Sequence, residues 1–243
     1  ASNLSQFFSG PSAALTIDQL LAKLPAIDSG SSSSIQVSDL AELNTLFNSG
    51  SGMQAVASSA TNMNLIVAST TAMNSIAASA TAMNSIVVSS TAMNIVAASA
   101  TAMNTIASST TAMGIVAASS TAMTAIAASS VAVSAIEAKS AARSAIIASA
   151  TAMNAIAANA TAMTVIAASS AFSTECASNS AAVNIFAASS TAMTALAANS
   201  VAMTAFGANS TAMGIIALSS TSMNIIAASS TAMTALAASS IAM

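Results

Sequence analysis

Ser90-Thr91-Ala92-Met93-Asn94-Ile95-Val96-Ala97-Ala98-Ser99 is one period of a ten-residue repeat that runs from residue 51 onward without insertion. With Thr61, Thr71 and Thr81 taken as position one, all sixteen methionines stand at position three. Position six is large or thiol-bearing throughout, from Val56, Ile66 and Ile76 through Cys176 and Phe186 to Leu236. Position two is nearly always Ala, and position nine is Ser or Asn except at Lys139. A fixed period of this kind marks a stacked architecture in which each unit buries its apolar residues against its neighbours.

Propensity does not choose between strand and helix: Ala and Met favour the helix, whereas Ser, Thr, Asn and Ile favour the strand. Parity points to the strand. The four charges inside the repeats, Arg143, Glu175, Glu137 and Lys139, stand at positions three, five, seven and nine. An odd-outward, even-inward alternation is the two-residue period of a strand. A helix fitted to ten residues in three turns is overwound to about 3.3 residues per turn and scatters those charges around its circumference. The expected fold class is therefore all-β, an elongated β-solenoid or interwoven trimeric β-helix of ten-residue repeats. A trimeric α-helical coiled-coil shaft is the alternative. In the β fold Ile66, Ile76 and Ile86 form an interior ladder, and Asn64, Asn74 and Asn84 form either a stacked amide ladder or a turn. Cys176 fills an aliphatic slot as a buried structural thiol. Stacked β coils would make the shaft about 90 Å long.

Residues 1–50 form a separate head, which holds five of the nine charges and both prolines, Pro11 and Pro25. Ile17, Leu20, Leu21 and Leu24 have helical spacing, and Pro25 is expected to stop that helix. A second helix is expected over residues 38–47 with Ser38 as its cap. The head is too small to bury a core alone and is expected to dock on something. Residues 51–243 form the shaft.

In the strand reading the methionines have the opposite parity to the aliphatic ladder. Met73, Met83, Met93, Met103, Met113 and Met123 would then line the outside of a single coil stack. An exposed apolar stripe of that length marks an interface. The entropy of ordering each coil is close to what its one large side chain and its alanines return. The expected assembly is a homotrimer of parallel chains with these methionines at the seams between them; the alternative is that Met forms a second core row within one chain.

Composition narrows the function. The chain has no His, Trp or Tyr, three Lys plus Arg and one Cys in 243 residues. The commonest general base and metal ligand is missing, as is any phosphate-neutralising surface. No enzyme activity, no cofactor, no metal site and no nucleic-acid partner is expected. Mean hydropathy is +0.80, yet no unbroken apolar run reaches about 18 residues, so no membrane insertion is expected. The opening Ala1–Gly10 lacks the basic and apolar regions of a signal peptide. Synthesis in a cytoplasm without a secretion signal is expected. Glu137, Lys139 and Arg143 read as an exposed salt-bridge cluster and as a register or kink point.

The leader Asn3-Leu4-Ser5-Gln6-Phe7-Phe8-Ser9-Gly10 resembles the N-terminal leader of bacteriophage tail-fibre and other virion appendage proteins. The repeat quoted above resembles the low-complexity shafts of phage structural proteins. That resemblance implies a structural fibre located in the virion. Its residues 1–50 would attach to other virion proteins, with Leu4, Phe7 and Phe8 as anchor, and its shaft would act as spacer or host-contacting fibre. An ice-binding β-solenoid, suggested by the file Thr61, Thr71, Thr81 and Thr91, and a surface adhesin stalk are the alternatives.

Overall fold

In the computed structural model, residues 15–31 and 35–239 are described. Three head helices, α1 (Ile17–Leu21), α2 (Leu24–Asp28) and α3 (Val37–Phe47), are followed by nineteen short ones, from α4 (Gly50–Ala57) to α22 (Ser230–Ala237). No strand occurs among the described residues. The all-β expectation, solenoid and interwoven β-helix alike, is therefore overturned: the chain is an all-helical repeat fold. The coiled-coil alternative fails as well, because each repeat helix ends within its own decad. Five consecutive pairs meet at bends of 98–105°.

The bend is made by position nine. Ser99 sits in the extended region (φ −97°, ψ 114°), closing α8 (Ser90–Ala98) and opening α9 (Ala100–Ala107). Its N–H donates to the Val96 carbonyl at 3.0 Å, and its own carbonyl accepts from the Met103 N–H at 2.9 Å. Its hydroxyl accepts from the Ala102 N–H at 3.2 Å. One residue thus ends a helix and caps the next, in backbone space that any L-residue reaches. No glycine or proline is needed, which is why so sparsely punctuated a sequence still turns every ten residues.

Helical geometry reassigns every slot. In α8 the buried residues are Ala92, Met93, Val96 and Ala97. Positions two, three, six and seven are one face of a 3.6-residue period, and they include odd and even members equally. Asn64, Asn74 and Asn84 are exposed, so position four is neither an interior ladder nor a turn but the solvent face of a helix.

Each helix stacks on the third before it and the third after it; α8 packs on α5 (Ala60–Ala68) and α11 (Ser120–Ala127). Three helices therefore complete one turn of a superhelix, with Met and the aliphatic residue filling its axis and Ala at positions two and seven letting stacked helices approach. The turns are tied by position nine again: the Ser109 hydroxyl donates to the Ala77 carbonyl at 2.7 Å, and Ser119 to Val87 at 2.8 Å, each 32 residues back. At about 9–10 Å between stacked helices, the nineteen repeat helices make a rod about 60 Å long, shorter than the β reading required.

The head docks on these repeats. Leu21, Leu24, Leu43 and Phe47 join the same continuous core as Met53 and Val56. The Asp18 carboxylate accepts from Asn62 Nδ2 at 2.9 Å, and Asp28 accepts from the Thr71 N–H at 3.1 Å. Ser79 donates to the Phe47 carbonyl at 3.2 Å with the same 32-residue spacing, so the end of α3 occupies a repeat slot. Pro25 does not stop a helix; it lies in the first turn of α2, where a missing N–H costs nothing. The cap of α1 is Thr16, in a capping box with Gln19, and the N-cap of α3 is Gln36 rather than Ser38.

Candidate functional site

The methionines predicted at the seam are inside. Met73, Met83, Met93, Met103, Met113 and Met123 are all 0% exposed within one chain. On a helix, positions three and six share a face, so a row that strand parity puts outside becomes half of the core. The further burial that the trimer was to supply comes from the chain's own superhelix. In the last described turn Met223 and Met233 are 40% and 49% exposed. Leu4, Phe7 and Phe8 lie outside the described residues. The Thr file is mostly exposed, but consecutive members stand on successive helices that point in different directions. One side of the rod repeats a Thr only every thirty residues, so no flat continuous Thr array forms.

Between stacked helices run shallow grooves of one design. One is lined by Ser90, Asn94, Ser120, Thr121 and Thr124, and another by Ala100, Asn104, Ser130, Val131 and Ser134. Hydroxyls, amides and methyls line them, with no acid–base pair. The head carries an apolar concavity at Ile27, Ile35, Val37 and Leu40.

The one charged locus of the shaft spans α12 (Ser130–Glu137), α13 (Ser140–Ile147) and α16 (Ser170–Ala177). Arg143 takes the slot of a core methionine, and its side chain is only 11% exposed. Its Nη2 lies 2.7 Å from Glu175 Oε1, and its Nε lies 3.1 Å from Oε2, a two-point contact across one turn of the superhelix. Its Nη1 donates to the Glu137 carbonyl. The Glu137 carboxylate accepts from Ser169 Oγ at 2.7 Å, taking the hydroxyl that in other turns reaches a backbone carbonyl. The Glu175 contact raises the Arg143 pKa further, against a smaller opposing effect of burial. Arg143 therefore pairs with Glu175 and not with the Glu137 side chain, while Lys139 is exposed and leaves α13 without a side-chain cap. Beside this network Cys176 is fully buried; burial, and then the Glu175 charge, push its thiol far above the usual range.

The Arg143–Glu175 partnership was hidden in the sequence because 32 residues separate the two. That distance has meaning only once three helices make a turn. The recurrence of Ser-to-carbonyl bonds at the same spacing is the signal that connects them.

Among the described residues no three His, Cys, Asp or Glu side chains gather to hold a metal ion, and no single helix is long and apolar enough to cross a membrane. No family model matches the chain, and no curated protein matches its sequence.

Proposed function

We propose that this chain is a structural rod, a spacer of a phage virion appendage whose work is mechanical and not catalytic. The observation that carries the reading is the single core running unbroken from Leu20 in the head to Ala232 in the last repeat helix. A solenoid of near-identical units transmits position along its axis and gains length by adding units. Its grooves offer shallow, uncharged surfaces, unlike the concave sites with convergent polar groups that bind small molecules.

The setting in a virion rests on the leader and the repeat type. Helices α1–α3 share the core of the first repeats, which favours residues 1–14, with Leu4, Phe7 and Phe8, as the part that attaches to other virion proteins. Immunogold labelling of purified phage particles with antibody against residues 51–243 tests the reading. Gold on a particle appendage is the expected result. Gold confined to the soluble fraction of the lysed host, with bare particles, would overturn it.

A further inference from the structure

The repeats pose a folding problem that their own regularity creates. A turn that stacks Ala, Met, Ile and Ala on the turn below gains nearly the same burial if the stack slips by ten residues or loops out thirty. The cross-turn bonds do not discriminate either, because a Ser hydroxyl meets a backbone carbonyl in every register. A landscape with several near-degenerate packings does not specify one native state.

We propose that the Glu137–Arg143–Glu175 network is a register lock, the one element of the shaft that recognises its own partner turn. In the observed stack Arg143 meets Glu175, 32 residues on. A slip of ten places Val165 or Ile185 opposite Arg143, and loss of a whole turn places Ala205 there. Each alternative leaves the Arg143 side chain, only 11% exposed, without its carboxylate, and stripping one partner from a part-buried pair costs more than removing both. A single buried polar group fixing register is the best-attested use of such groups. The discrimination rests on Arg143 and Glu175. Asn159 and Asn179, which would replace Ser169 in a slipped stack, can also donate to the Glu137 carboxylate.

The surroundings are individual too. In α16 Phe172 replaces the usual Ala at position two, Ser173 replaces Met at position three and Cys176 replaces the aliphatic residue; all three are 0% exposed. Ser173 Oγ donates to the Ile166 carbonyl at 3.1 Å. Large and small have exchanged places, so this turn is distinct in shape as well as charge.

The test uses spin labels at T124C and N184C, two exposed positions six repeats apart that bracket the network. Labels are attached to the native chain, in which Cys176 is buried, and the protein is then unfolded and refolded. The parent is expected to return one distance of about 20 Å, two superhelical turns. E137A/R143M/E175A, which restores apolar slots, is expected to refold with the parent's helicity but with roughly a tenth or more of molecules at other distances. One distance superimposable on the parent's would overturn the proposal. Should the triple variant lose its helicity, R143E and R143E/E175R decide. The single distance is expected to return only with the swapped pair, and a swap no better than R143E alone would equally sink the lock.

Discussion

Ser109 shows how much one residue carries in this fold. Its hydroxyl accepts from the Ala112 N–H and donates to the Ala77 carbonyl. Its own N–H reaches Ile106, and its carbonyl accepts from Met113. It therefore closes a helix, caps the next and stitches two turns together. Ser109→Ala removes the cap and the stitch and is expected to cost about 1–3 kcal/mol in urea unfolding. Ser108→Ala, beside it, removes only an exposed bond to the Asn104 carbonyl and is expected to stay within about 0.5 kcal/mol. Equal effects would show that position nine is a mere connector. That position nine is a fixed polar slot is plain from the repeat. Its role as cap is not, because the hydroxyl's partners lie three residues ahead and 32 behind.

Among the helices, only four residues carry a strand-like parity. Strand parity rests on Arg143, Glu175, Glu137 and Lys139, of which Arg143 sits in a core slot as a local exception paired with Glu175. The uncharged majority, with Ala and Met adjacent at two and three and the aliphatic residue with Ala at six and seven, carries the helical face. The head helices depend on charge differently. The Gln36 N–H, and then the Lys23 ammonium, hold the Asp39 carboxyl below its ordinary value of 3.8. Burial would raise Asp28, but hydrogen bonds from Thr71 and Ser69 outweigh it and lower it too. Lowered values mean stabilisation that is present above the unfolded value and lost as pH falls through the folded ones. Below about pH 4 the helices α1–α3 are expected to lose hydrogen-exchange protection before the repeats do. The comparison is made at pH 5 and pH 3 after correction for intrinsic exchange. A uniform loss along the chain would contradict it.

For the molecule as a whole, stability and length are close to sums over turns. Deleting residues 80–109 joins Ser79 to Thr110 in phase and removes one turn. The product is expected to remain helical and to be shorter by about 9–10 Å in X-ray scattering. Deleting residues 80–94 breaks the phase: Thr101 and the position-one residues after it fall in the aliphatic slot, Met103 and the methionines after it fall in a solvent slot, and cooperative unfolding is expected to be abolished. If both deletions behave alike, the thirty-residue turn is not the unit of the fold.

By itself the sequence determined the ten-residue period, the slots that carry large side chains, and the concentration of charge in the first fifty residues. These are properties of order along the chain. Whether positions three and six point the same way is a property of backbone dihedrals: they are opposed in a strand and adjacent on a helix. The tertiary structure decided that question, and with it the fate of the methionines. It also decided that bends of about 100° return the chain to itself after three helices. That closure brings Arg143 to Glu175, Ser109 to Ala77 and the head to the first repeats, contacts that no spacing announces until the number of helices per turn is known.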